Sequence, residues 1–146
     1  MHIRKLLPQD YDEVYSFWQE VLPESLNAAD DSREGFERYL RRNPQTSFAA
    51  EVEGALCGVI LCGHDGRRGF IHHAAVHPDC QGQGIGRALV DAATQALVRE
   101  GIRKVALVAF HTNDDGNRFW SRMGFERRDD LYYRNKALDG DCARME

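Results

Sequence analysis

The run Val76-His77-Pro78-Asp79-Cys80-Gln81-Gly82-Gln83-Gly84-Ile85-Gly86-Arg87 constrains this chain more than any other stretch. A β-type segment, residues 70–76, is closed by Pro78. A glycine-rich turn follows, and an amphipathic helical pattern then runs from Gly84 to Gly101. Glycine reaches backbone conformations that other residues avoid and lets a ligand come close to the main chain. The first N–H groups of a helix lack internal partners, and the helix dipole adds partial positive charge there. Strand, turn and helix in this order suit a diphosphate. A dinucleotide fingerprint is excluded, because it would need glycine at Arg87 or Leu89, and the Gly-Lys-Ser/Thr ending of a P-loop is absent.

The elements around this turn follow from periodicity. Residues 2–7 read as a short strand. Residues 10–21 read as a helix with Asp10 as N-cap, Glu13 at capping-box spacing, and Val14, Phe17, Trp18 and Val21 on one face. Asp30 or Ser32 caps a second helix carrying Phe36, Tyr39 and Leu40, which Asn43-Pro44 ends. Three strands follow, at residues 47–52, 55–63 and 70–76, joined by Glu53-Gly54 and by a loop containing Asp65-Gly66. The continuous apolar run Val59-Ile60-Leu61-Cys62 marks the middle strand as central and buried on both faces. After the long helix, residues 104–110 read as a strand and residues 113–123 as a helix stopped by Gly124. Residues 125–128 and 131–136 read as two last strands. Hairpins come first and helical crossovers late, so the α/β arrangement is a layered mixed sheet rather than a doubly wound one.

Bulk properties narrow the function classes. The 146 residues fit one domain over the whole chain, 1–146, with residues 138–146 as a frayed polar tail. A formal net charge of −4 gives no basic footprint for nucleic acid. No apolar run approaches a signal peptide or a membrane helix, which points to the cytoplasm and to no membrane partner. The four cysteines, Cys57, Cys62, Cys80 and Cys142, form no Cys-x-x-Cys pair, so no metal is expected. Cys57 and Cys62 read as small core residues.

Gln81-x-x-Gly84-x-Gly86 resembles the Arg/Gln-x-x-Gly-x-Gly/Ala motif of the GNAT (GCN5-related) N-acetyltransferases. Downstream, Asn113, Gly116, Phe119-Trp120 and Gly124-Phe125 are spaced like that family's second motif. The resemblance covers about residues 3–138, and its details are similar to small bacterial members near the ribosomal-protein alanine acetyltransferase branch. It implies a GNAT α/β (α+β) fold: a mixed, mostly antiparallel sheet of about six to seven strands flanked by about four helices. It also implies acetyl-CoA as cosubstrate, with the pantetheine arm along Ala74, Ala75 and Val76. The pyrophosphate would lie on the backbone of Gly82, Gln83, Gly84, Ile85, Gly86 and Arg87, with Gln81 opening the motif. Asn113 matches an asparagine that contacts the cofactor arm, and as an N-cap it suits the helix equally. Trp120 packs against the cofactor or the core. The implied acceptor is a primary amine of a small molecule or peptide, and relatives often dimerise.

The proton-transfer positions depart from the resemblance. Many relatives carry a tyrosine acid where this chain has Trp120, and some carry a glutamate base where it has Val108. An indole N–H donates a hydrogen bond but releases no proton near neutral pH. The remaining titratable candidates are His72, His73, His111 and Glu51, with Tyr132 and Tyr133 as substitutes for the missing acid. By strict alternation His72 and His73 face opposite sides of the sheet. His73 is the first candidate and His111 the second. Without a dedicated acid and base the alternative reading is a noncatalytic acyl-CoA-binding module, and a longer acyl chain is a further variant of the enzyme reading.

Overall fold

The computed structural model describes residues 1–140. The expected tail falls mostly outside the described residues, and Cys142 lies there as well.

One five-stranded sheet organises the chain, in spatial order β1-β2-β3-β4-β5. The strands are β1 (His2–Lys5), β2 (Phe48–Val52), β3 (Ala55–His64), β4 (Gly69–Val76) and β5 (Val105–Leu107). The helices are α1 (Tyr11–Val21), α2 (Arg33–Arg42), α3 (Ile85–Arg99) and α4 (Asp114–Arg122). The first four strands pair antiparallel, and β5 joins β4 in parallel. This is the mixed, mostly antiparallel sheet and the four helices that the sequence implied, with fewer strands. Residues 125–128 and 131–136 form no strand among the described residues; Leu131, Tyr132 and Leu138 are exposed instead. Their alternating pattern supplies β propensity, but propensity without a buried face does not hold a strand.

Helices cover both faces of the sheet. On one face Phe48, Ala50, Ile60, Cys62 and Ile71 meet Ile85, Leu89, Ala93 and Leu97 of α3. On the other, Ala49, Val59 and Leu61 meet Val14, Phe17 and Trp18 of α1 and Phe36 and Leu40 of α2. Consecutive residues of β3 thus feed opposite cores, which is why its apolar run is unbroken.

One cap resolves the alternatives of the sequence reading and one differs from it. Ser32, not Asp30, caps α2 by accepting the Gly35 N–H. Asp10 accepts the Leu7 N–H and the Arg4 guanidinium, so it closes the 3-10 turn Pro8–Asp10 ahead of α1 rather than α1 itself. Glu53-Gly54 forms the expected tight hairpin, with φ of 52° and 80° at its two residues. No helix among the described residues is long and apolar enough to cross a membrane.

Alternation breaks at two bulges. In β3, Gly58 pairs with Ala50 and Leu56 with Glu51, leaving Cys57 as an extra residue. In β4, His73 pairs with Leu61 and Ile71 with Cys62, leaving His72 extra. A bulge bends its strand and turns over the faces of the residues that follow. Ile71 accordingly sits in the α3 core, whereas His73 meets Trp18 edge-on on the α1 side. His72 also turns toward the α1/α2 layer, where its ring meets Tyr39. The two histidines therefore share a face, correcting the strict alternation expected from sequence.

Candidate active site

β4 and β5 part company partway along. They pair only at Gly69–Val105, Phe70–Ala106 and Ile71–Leu107. Beyond Ile71, β4 runs on to Val76, while the chain after Leu107 leaves regular strand geometry. The strand expected over residues 104–110 is thus shorter, because its second half diverges from β4. The gap between residues 72–76 and 107–110 opens a cleft of about 1040 Å³. Along it the outer edge of β4 keeps N–H and C=O groups that no strand satisfies, a template for an extended amide-bearing chain.

The cleft ends at the glycine turn. The 3-10 turn Pro78–Cys80 leads to Gly82 and Gly84, at φ of 82° and 79°, left-handed conformations that glycine adopts without strain. Gln81 Nε2 lies 3.4 Å from the Val76 carbonyl and ties the turn back to β4. The first bond into α3 is donated by Ala88 N–H to Gly84 O, 3.0 Å, so the N–H groups of Ile85, Gly86 and Arg87 have no intrahelical acceptor. α2 and α4 are capped by their own Ser32 and Asn113 side chains, whereas α3 starts from a glycine with no side chain to offer. That bare end of a helix of 15 residues has the donors and dipole that suit an anion.

α4 forms the far wall. Asn113 Oδ1 accepts the Gly116 N–H at 3.1 Å, which makes it the N-cap of α4. The residue also lines the cleft. Phe119 lies against Gly86: a Cβ there would sit 3.1 Å from the ring, so the two halves of the motif need each other's shape. Trp120 is held edge-on by Phe119 and Phe125, with ring centroids 5.0 and 5.1 Å away, and it too lines the cleft. Nothing in the sequence marked the Gly86–Phe119 contact beyond the motif spacing itself.

The titratable candidates separate clearly. His73 is buried, its Nε2 3.0 Å from Asp31 Oδ1, and it lines the cleft from beneath. His72 lines the cleft with one side open to solvent, and burial of its other side beside Phe70 and Tyr39 lowers its pKa. The neighbouring His73 lowers it further, while Asp31 and Asp30 pull the other way. His111 is exposed between two lining residues, Phe110 and Thr112, and does not itself line the cleft. Glu51 is engaged by Arg4 at 3.2 Å on the β1/β2 side of the sheet. Tyr132 and Tyr133 are exposed and do not line the cleft either. Val108 lines it as an apolar residue. Among the described residues no three His, Cys, Asp or Glu side chains gather as metal ligands.

Residues 11–125 match the family model described as the Acetyltransferase (GNAT) family. The chain belongs to that family. An acetyltransferase of Sodalis glossinidius (strain morsitans) is 31% identical over 141 residues, covering 97% of this chain and 98% of that protein. A ribosomal-protein-alanine N-acetyltransferase of Brucella melitensis biovar Abortus 2308 shares the fold at TM-score 0.71 and 23% identity, over 93% of this chain and 98% of that one. A PaiA N-acetyltransferase of Thermoplasma acidophilum, solved in complex with coenzyme A, superposes at TM-score 0.75 and 19% identity, over 88% and 91%. This GNAT protein is thus an acetyltransferase of the N-acetyltransferase type. Its departures from the family, Val108 and Trp120, lie on the cleft walls, where they meet whatever the cleft holds.

Proposed function

We propose that this GNAT enzyme transfers the acetyl group of acetyl-CoA to a primary amine by direct attack. One observation carries the reading: the unpaired edge of β4 and the bare N-terminus of α3 line a single continuous cleft. The diphosphate suits the N–H groups of residues 82–87, with Arg87 at the rim. The pantetheine amides suit the edge at Ala74, Ala75 and Val76, as an added strand would. Asn113 and Trp120 flank the arm from α4.

The acceptor amine approaches from the α1 side, where Val21, Leu22, Glu24 and Ser25 line the cleft. The Glu24 carboxylate favours a cationic acceptor in the encounter. The amine nitrogen then attacks the thioester carbon, the C–S bond breaks, and the ammonium proton must leave. His72 is better placed than His73 to take it, because it is open to the cleft and its lowered pKa keeps it neutral near pH 7. His73, held by Asp31, positions the bulge that aims His72. Unpaired N–H groups of β4 are available for the developing oxyanion. Trp120 supplies no proton to the thiolate, so proximity provides much of the acceleration.

Turnover tests this directly: free CoA should appear when acetyl-CoA meets a panel of polyamines, aminoglycosides and peptide N-termini. Val108 and Trp120 favour a second reading, a noncatalytic acyl-CoA-binding module. Tight CoA binding without turnover across that panel selects it. Association into a homodimer is supported by the outer edge of β5, which no strand among the described residues covers, and by the exposed Leu131 and Tyr132. Light scattering at two concentrations distinguishes monomer from dimer.

A further inference from the structure

The thiols of Cys57 and Cys80 meet at an Sγ–Sγ separation of 2.7 Å. Three features of the fold create this contact. The bulge in β3 turns Cys57 toward the α3 core, away from the face that Val59 occupies. The Cys57 carbonyl accepts the His77 N–H at 2.8 Å, anchoring the chain as it leaves β4. The 3-10 turn Pro78–Cys80, closed by Cys80 N–H to His77 O at 2.8 Å, then folds Cys80 back over Cys57. Cys57 is buried, whereas Cys80 is partly open and lines the cleft beside Gln81. Two sulfurs held this close need little movement to reach the roughly 2.05 Å of a disulfide. The partly open thiol is the one a dissolved oxidant meets.

We propose that Cys57 and Cys80 form an oxidisable thiol pair, closed to a disulfide by a peroxide, which staples the turn leading into the anion site to the central strand. The Cys80 thiolate attacks one oxygen of hydrogen peroxide. The O–O bond breaks, and hydroxide leaves to take up the thiol proton as water. The Cys57 sulfur then attacks the Cys80 sulfenic acid, forming the S–S bond and releasing a second water. The pair loses two electrons and peroxide gains them. The link does not depend on the acetyl-CoA reading; only its placement against a cofactor site does. Cys62 offers a contrast in access rather than acidity: it is fully buried, whereas both thiols titrate high, Cys80 at about 11 through its hydrogen bond to Cys57 and Cys62 at about 12 through burial, so the thiolate that reacts is a minor form near neutral pH.

Peroxide treatment of the reduced protein, alkylation and peptide mapping test the link without CoA present. A peptide pair joining residue 57 to residue 80 is expected, lighter by two hydrogens and released by dithiothreitol, with Cys62 still reduced. The oxidised protein should melt several degrees above the reduced one, because the link closes a loop in the unfolded chain. Cys80→Ser should abolish both the linked peptide and the shift while keeping the melting temperature of the reduced form. Recovery of residue 80 as sulfinic acid with residue 57 unlinked, or linkage of residue 80 to another cysteine, overturns the proposal. So does an equal shift in Cys80→Ser. A separate CoA titration of the linked protein reads the effect on the anion site, and its failure would leave the mapped bond standing.

Discussion

His73 Nε2 and Asp31 Oδ1 lie 3.0 Å apart in the interior, joining the middle of β4 to the loop between α1 and α2. The other carboxylate oxygen accepts the Asn27 N–H at 2.9 Å, and the Asp31 carbonyl accepts the Tyr11 hydroxyl at 2.7 Å. One residue, through its carboxylate and its carbonyl, thus ties together a loop that borders the cleft. Removing one partner leaves a buried polar group without its bond, so His73→Ala should lower stability by roughly 2–4 kcal/mol. Urea denaturation measures it. His73→Ala with Asp31→Ala should cost less than the two singles summed; strict additivity would show that the pair is not coupled.

His72→Ala should reduce kcat/KM by about 10²-fold or more while leaving the urea midpoint close to that of the parent. The sign of the pH dependence follows from the lowered pKa of His72. The neutral base is present above that pKa and is lost as pH falls through it, so the acid limb should lie below the ordinary histidine value of about 6.5. His72→Ala should erase that limb, whereas His73→Ala should keep it with a reduced amplitude. An unchanged profile in His72→Ala would move the proton acceptor elsewhere.

Gln83→Glu places a negative charge beside the bare N-terminus of α3 without touching a glycine. CoA affinity should fall on the order of tenfold, with a larger loss at low salt than at high salt. Arg87→Ala should act in the same direction. Calorimetric titration with CoA and with dephospho-CoA, at two ionic strengths, gives both values.

Trp120→Phe keeps an aromatic ring against Phe119 and Phe125, so kcat should stay within about threefold if the indole has no proton role. Trp120→Tyr introduces the hydroxyl that many relatives carry and should raise kcat only if thiolate protonation limits the rate. Burst-phase kinetics of CoA release separate these cases.

Much of this architecture is legible in the sequence, for identifiable reasons. Val59 to Cys62 announces a strand buried on both faces, and Gly82 to Gly86 announces a bare helix end, because both patterns are local. Asn113 is legible as a cap for the same reason. The direction of His72 is not, because its bulge arises from how β4 registers against β3, a long-range property with no residue signature. Cys57 escapes for the same reason, so a cysteine that reads as a small core residue proves to be the neighbour of Cys80 at the glycine turn. The early end of β5 reflects divergence from β4, while residues 131–136 carry strand-like side chains with no partner strand among the described residues.

The parting of β4 and β5 leaves a seam inside the sheet, and a seam is closed by whatever fills it. A cosubstrate bound there favours the folded form by mass action, about 2.7 kcal/mol when its concentration is a hundredfold above its dissociation constant. The lifetime of the protein is then tied to the metabolic supply of its own reagent. Limited proteolysis of the protein with and without CoA checks this: bound CoA should slow cleavage.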